Sequence, residues 1–170
     1  MTTHTDPTFT VTRSFDAPRD LVYRAWTKQE HLGRWMSPAG LTPLESSLDL
    51  RPGGLFHYGM KTPDGAEMWG KWVFREVVPP ERLVFVQSFS DREGGFARHP
   101  MAAEWPLQVL STVTFSEEGG RTLLTLTGTP LHASEAERQM FEGAIGGMNQ
   151  GWAGTFAQLD AHLATMTDRA

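Results

Sequence analysis

GAIGGMNQGWAGTFAQL, residues 143–159, has the apolar spacing of a helix and a composition that works against one. It carries five glycines, and each costs a helix interior about 1 kcal/mol relative to alanine. The pattern continues on both sides. Phe141, Ile145, Met148, Trp152, Phe156, Leu159 and Leu163 follow one another at steps of three or four and fall on one stripe. Ser134 and Glu137 have capping-box spacing at its head. The segment therefore predicts one helix from about residue 134 to about Thr165, roughly 50 Å long. So glycine-rich a helix must be held by tertiary packing along its apolar stripe. In return Gly143, Gly146, Gly147, Gly151 and Gly154 leave room for something bulky against its backbone.

The surface that holds it lies earlier in the chain. From Leu44 to Gly128 the apolar period is two, and RPGG, TPDG, VPPE and SEEGG punctuate it at hairpin intervals. Antiparallel strands are expected near 44–50, 54–61, 66–78, 82–90, 107–116 and 121–129, after a first strand at 8–15 in which Phe9, Val11 and Phe15 alternate with Thr and Ser. Two short helices follow that first strand. In the first, Asp16 is the expected cap, Pro18 sits in the first turn, and Leu21, Val22, Ala25 and Trp26 point inward. In the second, Thr27 and Glu30 have capping-box spacing and Gly33 is the expected stop before Trp35 and Met36. The fold class is α+β: a curved antiparallel sheet of six to seven strands wrapped around one long C-terminal helix. Residues 91–106, DREGGFARHPMAAEWP, exceed the usual loop length and read as a lid or binding segment.

Composition narrows the function. The net charge is −5 and no Lys/Arg run occurs, which argues against nucleic acid as a partner. No stretch approaches the ~18 apolar residues of a membrane span, so no membrane insertion is expected. The opening MTTHTDPTFT has neither a basic nor an apolar signal region and reads as a polar tail over 1–7, ahead of one domain over 8–166 and a short tail over 167–170. A cytoplasmic location is expected. Cysteine is absent, which removes disulfides, thiolate metal sites and a cysteine nucleophile. His4, His31, His57, His99, His132 and His162 show no ligand spacing, so no metal is assigned. P-loop, G-x-S-x-G and G-x-G-x-x-G motifs are missing, and no cofactor is assigned. Six Trp, ten Phe and eight Met are the one excess, and they suit either an aromatic core or an adaptable apolar pocket.

FDAPRDLVYRAWTKQEHLGRWM, RPGGLFHYGM, REVVPPERLVF and GMNQGWAGTFAQLDAHL occur in this order between Phe15 and Leu163, within a likeness that covers about residues 8–165. Together they resemble the START-like helix-grip (SRPBCC) superfamily, in the branch related to the C-terminal domain of the activator of the Hsp90 ATPase. The resemblance implies an apolar cavity between sheet and long helix. It leaves function open, because this fold carries lipid carriers, polyketide cyclases and co-chaperone domains alike.

Hairpin alternation assigns the inward positions. Phe56, Tyr58 and Met60 share one face, as do Met68, Gly70, Trp72 and Phe74 on the next strand, while Lys71 faces water. Gln87, Phe89 and Ser111 continue the face. Trp35, Met101 and Trp105 lie at its ends, with Phe141, Ile145, Met148 and Trp152 opposite on the helix. These are the candidate ligand-binding residues, and the same pattern also fits a core that they fill themselves. Tyr58, Gln87 and Ser111 supply the interior polar groups. His57 points outward, and only a one-residue register slip would make it a general base in the interior. Glu76 and Arg82 flank VVPPE and fix that hairpin, and Glu67 is exposed.

The leading expectation is binding of a small apolar molecule, with no catalytic residue assigned. A polyketide cyclase or dehydratase-like enzyme is the alternative, and a co-chaperone-like interaction domain a further one. The first strand, an edge, would allow a homodimer, and its Thr-rich outer side fits a monomer equally well.

Overall fold

The computed structural model describes residues 7–36, 40–95, 97 and 104–167. In chain order the elements are β1 (Phe9–Phe15), α1 (Arg19–Thr27), α2 (Gln29–Trp35), β2 (Thr42–Leu48), β3 (Leu55–Lys61), β4 (Glu67–Val78), β5 (Arg82–Ser90), β6 (Gln108–Glu118), β7 (Arg121–Leu131), α3 (Glu135–Gly143) and α4 (Ile145–Thr167). Strands β2 to β7 form an antiparallel meander and β1 joins β7, which gives a seven-stranded open sheet in the order β1-β7-β6-β5-β4-β3-β2. Short turns set the register. Gly119 and Gly120 have φ of 60° and 80°, the backbone that a two-residue hairpin between Glu118 and Arg121 requires. Arg82 and Glu76 form an ion pair across the base of the β4–β5 hairpin.

The C-terminal helix differs from its expected form. The 134–165 segment is two helices, joined at Ala144, whose φ of −92° and ψ of −5° depart from the values of a regular helix. Its N–H is shared between the carbonyls of Met140 at 3.2 Å and Phe141 at 3.0 Å. The break falls next to Gly143 and just before Gly146 and Gly147, where intrinsic helix preference is weakest. The 23 residues of α4 thus span about 35 Å rather than 50 Å. The expected capping box is present at the head of α3: Ser134 Oγ accepts from Glu137 N–H at 3.1 Å, and Glu137 Oε1 accepts from Ser134 N–H at 2.8 Å.

What holds α4 is its C-terminal half. Phe156, Leu159 and Leu163 are buried, and each side chain of this size contributes about 1.5–3 kcal/mol by leaving water. The Phe156 ring meets the Phe15 ring edge-on at 5.6 Å. Arg13, on the inward side of β1, pairs with Asp160 at 2.6 Å. Gln158 Nε2 donates to the Trp35 carbonyl at 3.0 Å, tying α4 to α2.

The short helices start and stop differently from expectation. Pro18, not Asp16, is the N-cap of α1, and the first amide, Arg19 N–H, donates to Glu117 Oε1 of β6 at 2.9 Å. Thr27 does not cap α2. Its hydroxyl donates back to the Tyr23 carbonyl at 2.8 Å, and the N-cap is Lys28. Gly33 is no stop either: α2 runs through it to Trp35.

Candidate binding pocket

Helix α4 packs on β1, α1 and α2, and the space left between its N-terminal half and strands β3–β7 is a pocket of about 620 Å³. Two positions on the sheet side of this pocket, Gly70 and Gly128, have no side chain to fill it. On the helix side Gly143, Gly147 and Gly151, one turn apart, border it. A Cβ at any of the five helix glycines would meet nothing within 4 Å. The room expected beside that backbone exists, and no described residue takes it up.

The structure divides the candidate residues. Tyr58, Met60, Met68, Gln87 and Phe89 line the pocket from the sheet, with Ser111 beside Gly128. Trp105, Phe141, Met148 and Trp152 line it as well, and the Trp105 and Phe141 rings lie 5.5 Å apart. Trp35, Phe56 and Trp72 do not border the pocket: they are buried among other side chains. The Trp35 indole donates to the Ala25 carbonyl at 2.9 Å. Trp72 stacks on Phe85 at 4.2 Å and meets Phe56 at 4.9 Å. At this end the aromatic side chains fill the interior themselves. Ile145 packs on the core without reaching the pocket, and Met101 lies outside the described residues.

Sequence reasoning missed Phe9, Met36, Leu41, Leu126, Gly128 and Thr155, all of which line the pocket. One signal was readable. Gly128 interrupts an otherwise bulky strand, and an isolated strand glycine marks a close approach or a space.

No Asp, Glu, Lys, Arg or His occurs among the described lining residues. Burial raises the pKa of the Tyr58 hydroxyl above its ordinary value, against opposing pulls from the Gln87 and Trp72 side chains, so the phenol is protonated at neutral pH. The Trp72 indole N–H is buried without a hydrogen-bond partner among the described residues.

The other face of the sheet carries a separate cluster. His57 lies there, stacked on Trp69 at 5.1 Å, with Nε2 3.2 Å from Ser90 Oγ and 3.1 Å from the Asp91 carbonyl. Lys71 was expected in water; it is buried, and its ammonium donates to the Gly94 carbonyl at 2.8 Å. Residues 91–95 cover it, shaped by Asp91 Oδ1, which accepts from Glu93 N–H at 3.0 Å and Gly95 N–H at 2.8 Å. The segment expected as a lid thus begins on the outer face, and Trp105 at its far end reaches the pocket. Elsewhere His31 Nδ1 and His162 Nε2 lie 2.9 Å apart, joining α2 to α4. Among the described residues no group of three or more His, Cys, Asp or Glu could hold a metal, and no helix is long and apolar enough to cross a membrane.

Residues 16–164 match the family described as Activator of Hsp90 ATPase homolog 1-like protein. The chain belongs to this family. Solved structures similar to this family member include protein Ms6760 from Mycobacterium smegmatis, at 28% identity and a TM-score of 0.74 over 91% of this chain and 88% of that one. A protein from Arthrobacter aurescens is 29% identical, with a TM-score of 0.75 over 93% and 86% of the two chains. NE0264 from Nitrosomonas europaea has the same fold at 23% identity, with a TM-score of 0.76 over 95% and 96%. No match was found among the curated proteins.

Proposed function

We propose that this member of the Activator of Hsp90 ATPase homolog 1-like family binds a small apolar molecule in the pocket between the sheet and α4. One observation carries the reading: a space of about 620 Å³ is bordered by Met, Phe and Trp side chains and by helix glycines, with no Asp, Glu, Lys, Arg or His among its described walls. Sites of about 300–1,000 Å³ with such walls and a few polar groups suit small ligands. Removal of apolar surface from water supplies the affinity, at about 25 cal/mol per Å² before the costs of association. In this reading Tyr58, Met60, Met68, Gln87, Phe89, Trp105, Ser111, Phe141, Met148 and Trp152 touch the ligand.

A cyclase or dehydratase would need an acid–base pair in the pocket, and Tyr58 is the only titratable side chain among the described walls. A chaperone-directed role rests on the family description alone. The proposal places the protein in a reducing cytoplasm, with which a cysteine-free chain is compatible.

The test is titration with N-phenyl-1-naphthylamine, an uncharged apolar fluorophore. Saturable one-to-one binding is expected, weakened at least tenfold by Gly147→Trp, which sends an indole from the helix into the pocket. A folded protein that binds no uncharged apolar probe would defeat the reading.

A further inference from the structure

We propose that the pocket selects an uncharged ligand bearing a hydrogen-bond acceptor, such as a ketone or quinone carbonyl, and that the Tyr58 hydroxyl donates to it. This rests on the binding reading above and specifies its ligand class.

The argument starts from the backbone. Tyr58 on β3 faces Gly70 on β4 across the sheet, and with no side chain at Gly70 the phenol ring lies down on the strand. A Cβ at Gly70 would sit 2.6 Å from the phenol oxygen. The ring therefore leans across β4 toward β5, where Gln87 stands opposite Trp72, two residues along from Gly70. Phe56 stacks on the other end of the arrangement at 4.9 Å and limits the ring's freedom to swing back.

The neighbours of the phenol oxygen decide the direction of its proton. Burial raises the phenol's pKa and outweighs the opposing pulls of Gln87 and Trp72, so the hydroxyl keeps its proton. An indole N–H can only donate. Trp72 therefore cannot take the hydroxyl proton, no carboxylate or His stands among the described walls to take it, and Tyr58 borders the pocket, so its O–H is placed to donate there. A ligand acceptor placed there completes the set.

The same walls discriminate against anions. A carboxylate entering this space would leave water without meeting a Lys, Arg or His on the described walls, and an unpaired buried charge is far more costly than an unpaired carbonyl. A plain hydrocarbon meets no such penalty and gains no hydrogen bond.

Three ligands of similar size separate these cases: naphthalene, methyl 2-naphthyl ketone and 2-naphthoate, each measured at pH 7 by displacement of N-phenyl-1-naphthylamine. The ketone is expected to bind about fivefold tighter than the hydrocarbon, and the carboxylate weakest. Tyr58→Phe should remove the ketone's advantage over naphthalene. The order of the three ligands on the unaltered protein is decisive even where the variant folds poorly. Naphthalene binding as tightly as the ketone, or naphthoate matching it, overturns this inference and leaves the pocket reading standing. Failure of every probe, the fluorophore included, overturns both.

Discussion

The Tyr58 ring rests on Gly70, its partner across the β3–β4 ladder, so closely that an added methyl would fall 2.6 Å from the phenol oxygen. On the opposite face of the same two strands Trp69 covers Gly59 in the same way, with ring carbons 2.7 Å from where a Cβ would stand. Each glycine gives its aromatic partner a place to lie flat.

Alanine at either glycine should overpack the ladder. Gly70→Ala and Gly59→Ala are each expected to lower stability by about 1–3 kcal/mol in urea unfolding. They differ in a second measurement. Gly70→Ala displaces Tyr58 and should weaken fluorophore binding in the pocket, while Gly59→Ala displaces the Trp69 ring from its stack on His57.

The helix glycines predict the opposite sign. An alanine Cβ at Gly146 or Gly154 meets nothing within 4 Å, and neither position borders the pocket. Gly154→Ala, well inside α4, should stabilise the protein by about 0.5–1 kcal/mol, read as a raised urea midpoint with an unchanged slope. A loss of stability there would mean that something outside the described residues occupies that surface.

Tyr23 predicts an alkaline weakness. Its hydroxyl is buried without a hydrogen-bond partner among the described residues, and burial pushes its pKa up to about 12. The folded state therefore keeps this proton to higher pH than the unfolded chain, whose tyrosines titrate near pH 10. That contribution to stability is complete below about pH 10 and disappears as the pH rises toward 12. Tyr23→Phe should flatten the decline over this interval. At pH 7 it should be neutral or stabilising by about 1 kcal/mol, because it removes an orphaned polar group.

The His31–His162 contact sets an acid limit. Desolvation, then the nearby charges of His31 and Arg34, holds the His162 pKa below its ordinary value. The unfolded chain thus binds this proton first as the pH falls. Stability from this site is full above about pH 6.5 and is lost as the pH drops through that value toward the lower folded one. His162→Gln should make stability between pH 5 and 7 less dependent on pH, measured by urea unfolding across that range.

Much of this molecule is written in local pattern. The seven strands follow from a period of two and from turns such as Gly119–Gly120, whose backbone needs are local. The Ser134–Glu137 box spans three residues and formed as expected. Caps that depend on distant partners were not readable: nothing near Arg19 announces that Glu117, 98 residues on, will accept its amide proton. Alternation also told which face a side chain takes and no more. Lys71 is on the outer face as expected, yet residues 91–95 fold over it and bury it.

The pocket itself shows the division most clearly. Trp72 and Gln87 face each other across the β4–β5 ladder on the inward side of the sheet. Trp72 ended in solid core and Gln87 on an open wall. Sequence alone determined that both point inward, that a glycine-rich apolar helix would cross above them, and that the interior would be aromatic and cysteine-free. Only the tertiary structure decided where α4 stands close to the sheet and where it stands off, because that distance is set by the summed packing of Phe15, Trp35, Phe156 and Asp160 against one another's elements. Side-chain direction is a property of one backbone position. The presence of an empty volume depends on every element around it.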